Sequence, residues 1–386
     1  MRFQIKKDVL YKTIKPVLNV VSTKTTLPIL LNILIDVEKD RIHFSSTDLD
    51  IAMTTTIQTS NSENINIEEA GSITIPGKRI GEILDKLPNE KIVFSSLKNN
   101  ILRMDCQKCF FRLIGLPRED FPKIPVFSET NKIKIEQKKL KEALTLTSCA
   151  TSRETERYGL NGIFFEFMKD TIRFVATDGR RLAYVDKKIT PENKIEKNIT
   201  VPTKTINEIQ RIIEESGDVE ISLTDNQICF STNIDTFQSG VSINLNLISR
   251  ILDAQFPDYK QVIPKQGNKR IHLKTQEWLG ALKRAALFTT IDDPAIKLDI
   301  MKNKLVISKI TPDIGEIREE IDTNYKAEEI SIGFVPHYLI DVVKNLPDEE
   351  IDIDIVDTEV GKVSVVKIKD GQGMDYFHMV LPIALE

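Results

Sequence analysis

The sequence predicts an α+β protein built from three tandem copies of one domain, and three observations predict it. The stretch 171–185 reads as strand, tight turn, strand: Ile172/Phe174 and Leu182/Tyr184 alternate around Thr177-Asp178-Gly179-Arg180. At an offset of 130, Ile42, Phe44, Thr47 and Asp48 occupy the places of Ile172, Phe174, Thr177 and Asp178. A second pattern, Thr74-Ile75-Pro76 leading into an apolar-periodic helix, returns as Thr200-Val201-Pro202 and as Phe334-Val335-Pro336. The third observation is a lysine-bearing amphipathic segment that opens each third of the chain. A fixed offset near one third of 386 residues makes duplication the first fact to explain.

In chain order, residues 5–21 place Ile5, Val9, Leu10, Ile14, Val17, Leu18 and Val21 on one helical stripe, with Lys6, Lys7, Lys12 and Lys15 off it. Segments 136–148 and 275–288 repeat the design, with Lys138, Lys139 and Lys141 in one and Lys283 and Arg284 in the other. Strand-like runs follow each: 30–37 and 42–57; 162–167 and 172–185; 296–300 and 305–310. The second helix of each third carries the apolar trios Ile80/Ile83/Leu87, Ile206/Ile209/Ile213 and Leu339/Val342/Leu346 and one acid in a common place, Glu82, Glu208 or Asp341. Pro88 and Pro347 stand where they would end such helices. Further strands at 91–94 and 101–104, 219–223 and 227–231, and 351–356 and 363–368 complete about eight per copy, a sheet with helices on one side. Pro-rich joints, 116–125 and 255–264, set the expected domains at 1–126, 127–264 and 265–386. The third copy has Ile310-Thr311-Pro312-Asp313 where the Thr-Asp turn should be, so the copies have diverged in role.

Composition is that of an ordinary soluble chain, 41% hydrophobic and 28% charged. With 57 acids against 53 bases, the net charge of −4 neither supports nor excludes a DNA partner, because binding would depend on bases segregated to one face. No apolar run is long enough for a membrane span, and the N-terminus lacks signal-peptide features. Four cysteines point to a reducing, cytoplasmic setting.

Nothing in the sequence assembles a catalytic centre, a metal site or a cofactor site. His43, His272, His337 and His378 are scattered. Cys106-Gln107-Lys108-Cys109 lacks the second ligand pair of a zinc site and runs into apolar Phe110-Phe111, so its structural reading outweighs a metal or redox role. The segment 71–78 imitates a phosphate loop, but its glycines enclose five residues and Arg79 stands where Ser or Thr should bind magnesium. Gly371-Gln372-Gly373 lacks the third glycine of a dinucleotide loop. Asp48 and Asp178 sit at turns, where aspartate bonds its own backbone. What remains is cationic side chains on helices: Lys78 and Arg79, and Lys204 and Arg211, besides those of the opening helices. On one helix this reads as a solvated face; its recurrence in three copies points to one common surface.

Taken together, Thr26-Leu27-Pro28-Ile29-Leu30, Leu160-Asn161-Gly162, the TDGRRLA turn at 177–183, Phe256-Pro257-Asp258-Tyr259 and the Leu381-Pro382-Ile383 tail resemble the bacterial β sliding clamps, the processivity subunits of the replicative DNA polymerase. The resemblance runs the full length. It implies a non-enzymatic, head-to-tail dimeric ring of six similar domains, helices inside and sheets outside, encircling double-stranded DNA without reading its sequence. It also implies docking of polymerase, clamp loader and repair proteins through short linear motifs. Two other classes, a DNA-modifying or nucleotide-hydrolysing enzyme and a peptide scaffold without DNA, fit less: the first lacks catalytic groups, the second leaves the lysine helices without purpose.

Carried over by position, the dimer contact maps to Phe111 and Leu113 against Leu287 and Phe288. DNA contacts add Lys24, Arg157 and Tyr158 to the helix cations, with Gly159 where relatives often place a second aromatic residue. The peptide pocket maps to Leu160, Thr177, Gly179, Arg180, Arg181, Leu182, Pro257 and Val262, with Tyr338, Met379, Leu381, Pro382 and Ile383 from the third copy. Ala384 and Glu386 depart from the family's usual ending.

Overall fold

The computed structural model describes residues 1–59, 63–125, 127, 132–191, 197–236, 241–264, 269–346, 349–358, 361–369 and 375–385. Residue 126, Pro347, Gly371–Gly373 and Glu386 lie outside them. Among the described residues, six α-helices overlap the expected segments: α1 (Lys7–Val20), α2 (Gly77–Lys86), α3 (Gln137–Ser148), α4 (Thr203–Ile212), α5 (Thr275–Ala286) and α6 (Pro336–Val343), with Leu87, Ile213 and Leu346 just past the ends of the second helices.

The opening helices start later than their apolar stripe suggests. Residues Arg2–Lys6, Lys132–Glu136 and Lys269–Lys274 are strands that run straight into α1, α3 and α5. Lys6 therefore precedes its helix, and Ile5 belongs to a sheet. The first helical amide is satisfied alike in all three: Lys7 donates to the Glu90 carbonyl (3.0 Å), Gln137 to Gly217 (2.9 Å) and Thr275 to Glu349 (2.9 Å). A backbone carbonyl from the loop beyond the second helix thus does the work of a cap. The expected strand 30–37 is likewise shorter, since Pro28–Leu31 forms a 3-10 turn before Asn32–Val37.

The chain forms two compact units, and the middle copy contributes to both: Met1–Lys138, Thr190–Lys194 and Asn207–Ile251 in one, Lys139–Ile189, Ile195–Ile206 and Leu252–Glu386 in the other. In the first unit a five-stranded sheet runs in the order Ile65–Glu69, Arg2–Lys6, Lys91–Leu97, Ile101–Cys106, Cys109–Ile114. A nine-stranded sheet continues from the first copy into the second, because Val241–Arg250 pairs antiparallel with Ile51–Gln58. In the second unit an eight-stranded sheet does the same for the second and third copies, through Arg181–Lys188 paired with Asp375–Val380. A four-stranded sheet ends at the edge strand Gly315–Asp322. In the two largest sheets the alternate residues of the period-two pattern are buried, Ile42 and Phe44 in one copy and Ile172 and Phe174 in the next.

Candidate peptide groove and cationic helices

The Thr177–Arg181 turn is built by its own side chains. Asp178 Oδ1 accepts from the amides of Arg180 (2.9 Å) and Arg181 (3.0 Å), and Thr177 Oγ1 donates to the Arg181 carbonyl (2.7 Å). Gly179 takes φ +85°, and a Cβ there would lie 2.5 Å from Arg157 Nη1. That guanidinium crosses the turn to bond the Asp178 carbonyl (2.7 Å). The left-handed backbone favours glycine here, and a side chain would also have to displace the Arg157 guanidinium.

Arg181 is buried between two carboxylates, Asp178 Oδ2 at 3.0 Å and Asp341 Oδ2 at 2.9 Å, with its guanidinium 4.5 Å from the Tyr338 ring centre. Burial works to raise the Asp341 carboxyl, but Lys344 and Arg181 outweigh it and hold its pKa below the ordinary value. The turn is thereby fastened to α6, and Arg180 is left exposed at its tip.

Beneath the turn lies an apolar floor. Leu182, 2% exposed, faces Met379 across paired strands and clusters with Val175, Phe256, Tyr259, Val356 and Phe377. Leu160, Phe164, Tyr184, Ile263 and Leu381 pack against that cluster and stay partly open. Phe164 stacks on Phe256 at 4.7 Å between ring centres. Val262, 55% exposed, and Pro257 are at the surface. The tail is held by backbone bonds: the Leu381 amide to the Arg180 carbonyl and the Ile383 amide to Gly333, each 2.9 Å. Leu160, Leu182, Met379 and Leu381 are thus brought together. Thr177, Gly179 and Arg181 shape the turn, and Tyr338 lies under Arg181. Pro382 and Ile383 are half-buried along the tail. Phe256 and Tyr259 stood out in the sequence only as part of the Phe256-Pro257-Asp258-Tyr259 motif, and neither they nor Phe164 were placed in the pocket, whose aromatic wall they form. The repeated Phe-Pro pair was the available signal for Phe256.

The candidate DNA contacts divide by residue type. Arg79 is held by Glu82 (2.9 Å), Arg211 by Glu208 (2.6 Å), Arg157 by Glu154 (3.0 Å) and Arg284 by Glu319 through Nε (2.9 Å). Lys12, Lys15, Lys24, Lys78, Lys138 and Lys283 are exposed and have no acidic partner among the described residues. Lys7 and Lys15 flank the Tyr11 ring, each 5.7 Å from its centre, and Lys6 pairs with Asp8 (3.5 Å). Lys139, Lys141 and Lys204 have interactions of their own. Tyr158 is exposed, and a Cβ on Gly159 would come 3.2 Å from that of Ala254.

Of the four expected dimer residues, Leu287 is 73% exposed, Phe111 and Phe288 are half-buried, and Leu113, at 9%, packs inside its own sheet. Alternation explains this: Leu113 faces Leu102 on the inner side of the edge hairpin, and its neighbours Phe110 and Ile114 point outward and are exposed. Ile291 and Ile310 are exposed near Leu287 in sequence and on the neighbouring hairpin, respectively. Cys106 and Cys109, both free, are paired across the tip of the 101–114 edge hairpin, with Cys109 Sγ 3.1 Å from the Cys106 carbonyl oxygen.

Three family models match this chain in order: the N-terminal domain of the DNA polymerase III beta subunit over 1–125, its central domain over 134–258 and its C-terminal domain over 260–384. A beta sliding clamp of Pseudomonas putida is 29% identical over 386 residues, with 100% of each chain covered. The crystal structure of a DNA polymerase sliding clamp from Bacillus subtilis superposes with a TM-score of 0.91 at 27% identity, over 100% of both chains. That of the DNA polymerase III subunit beta from Pseudomonas aeruginosa gives 0.89 at 29%, again over 100% of both. The three copies read from the sequence are three tandem clamp domains, and the chain belongs to the DNA polymerase III beta subunit family, the beta sliding clamps, which are processivity factors and not catalysts.

Proposed function

We propose that two copies of this chain close head to tail into a cytoplasmic ring around double-stranded DNA, with domains at 1–126, 127–264 and 265–386. A heterologous contact must close or it polymerises. Two exposed sheet edges are available for it, Cys109–Ile114 and Gly315–Asp322, bordered by Phe110, Ile114, Leu287 and Ile310. Pairing one copy's first edge with the other copy's second would satisfy both rows of backbone groups and cover apolar side chains.

The observation that carries the DNA reading is the sorting of cations. The arginines, which form rigid two-pronged contacts, are engaged by acids, and the exposed lysines without acids are flexible point charges. Point charges screen phosphate without fixing register, which a sliding protein requires. The groove around Leu160, Leu182 and Val262 would take an extended apolar peptide from a polymerase, clamp loader or repair protein, with Arg180 and the Leu381–Ile383 tail at its rim.

Loading by a clamp loader and ATP onto nicked circular DNA tests the reading. The protein should stay on circles and run off once they are linearised; equal retention on both forms overturns topological tethering.

A further inference from the structure

The first unit repeats the backbone frame of the peptide groove, without the Arg181 ion pairs, because Ile51 stands in the place of Arg181. Asp48 Oδ1 accepts from Asp50 (3.0 Å) and Ile51 (2.9 Å), and Thr47 Oγ1 donates to the Ile51 carbonyl (2.8 Å), as Asp178 and Thr177 do in the second copy. The incoming strand leaves its partner alike: the Arg250 amide bonds the Asp50 carbonyl at 3.0 Å, as the Leu381 amide bonds Arg180 at 2.9 Å. Ser22 reaches the Leu30 carbonyl (3.3 Å) as Ser152 reaches Leu160 (3.0 Å). Below the turn, Ala52 faces Ile248, the counterparts of Leu182 and Met379. Duplication has therefore supplied the floor and frame of a second groove.

That floor is covered. Ala52, Cys229 and Ile248 form a buried cluster with Ile124 and Phe127 packed on it. Aligning the Phe-Pro pairs Phe121-Pro122 and Phe256-Pro257 puts Phe127 where the other linker has Val262. The two sites have exchanged volume. One has a large floor residue, Leu182, and a small, 55% exposed linker residue, Val262; the other has a small floor residue, Ala52, and a large linker residue turned onto it. An aromatic ring over an alanine fills what would otherwise be an open apolar recess.

We infer that Phe127 is a built-in occupant of this second groove, so that the chain offers a partner peptide one open groove of the two its duplication supplies. The inference rests on the peptide reading of the Leu182 groove, and the two are tested separately. Cys229 reports on the covered floor, with exposed Cys109 as the internal reference. In Phe127→Ala, iodoacetamide should alkylate Cys229 about tenfold faster relative to Cys109, as a shielded thiol becomes accessible. Phe127→Trp should restore the protection.

Calorimetry with a short synthetic peptide of alternating leucine and phenylalanine should give one site per chain in the parent and two in Phe127→Ala. In Phe127→Ala/Val262→Asp one site should remain, and its occupation should protect Cys229. Unchanged Cys229 alkylation, or a stoichiometry that stays at one in Phe127→Ala, overturns the inference and leaves the Leu182 groove standing. Absence of peptide binding by the parent overturns the groove reading, and the alkylation arm still decides whether Phe127 covers the recess.

Discussion

Leu49 stands at φ +80° where the second copy has Gly179 at +85°. A left-handed backbone strains a leucine by roughly 1–2 kcal/mol, and glycine's larger unfolded-state entropy takes back about half of that. Leu49 is 46% exposed, so truncating it forfeits only part of a leucine's full burial. Leu49→Gly should therefore stabilise the first unit by about 0.5–1 kcal/mol. A lowered midpoint in urea would mean that the Leu49 side chain makes contacts worth more than the strain it imposes.

His378 bears on pH. Its ring is fully buried on the strand beside Leu182, and neither nitrogen has a partner among the described residues. Burial, with the Arg181 charge nearby, lowers its pKa from 6.5 to about 3. The fold keeps the ring neutral while the unfolded chain takes up a proton below pH 6.5. This contribution is thus intact above pH 6.5 and is lost as pH falls from there towards 3, by at most about 1.4 kcal/mol per unit. His378→Leu should flatten the acid limb of the stability curve; an unchanged slope between pH 6 and 4, checked by urea titration, would show that the ring is not the group responsible.

Among the elements, the helix starts were the least legible in sequence. Ile5 fits both a period of two with Phe3 and a period of 3.6 with Val9, so strand and helix patterns overlap where one runs into the other. Only the ladder that pairs Ile5 with Ile92, and the carbonyl that Glu90 offers the first helical amide, decide the boundary. The same alternation separates Leu113 from Ile114. A family position names the strand, but its register in the sheet determines which side chains face out. Ile114, 74% exposed on the edge strand, should be central to ring closure, whereas a charge there faces solvent in the isolated chain. Ile114→Asp should leave the melting curve of the monomer unaltered and convert dimer to monomer in sedimentation velocity. A dimer of undiminished affinity would remove this edge from the proposed contact.

On the scale of the whole molecule, the function was legible because duplication leaves a periodic record. Each chemical motif in the sequence was incomplete, whereas turns, joints and lysines recurred at offsets near 130. Sequence reading ranked all the cations together. The structure separates them, with each of the four arginines facing an acid and six lysines facing none among the described residues. Tethering by topology asks only for such diffuse positive charge, so retention on circular DNA and release from linear DNA remain the decisive observations for the ring.

By itself the sequence determined the triplicated α+β plan, the positions of the six helices and the Thr-Asp turns, because these depend on local periodicity and on side chains bonding their own backbone. Only the tertiary structure decided that Leu182 is a floor and Val262 a rim, that Leu113 faces inward, and that Phe127 covers what Val262 leaves open. The floor and its covers depend on strands and linkers brought together from distant parts of the chain, Leu182 with Met379 and Ala52 with Ile248, and Leu113 depends on which face of its hairpin is turned to the core; no local pattern in the chain encodes either.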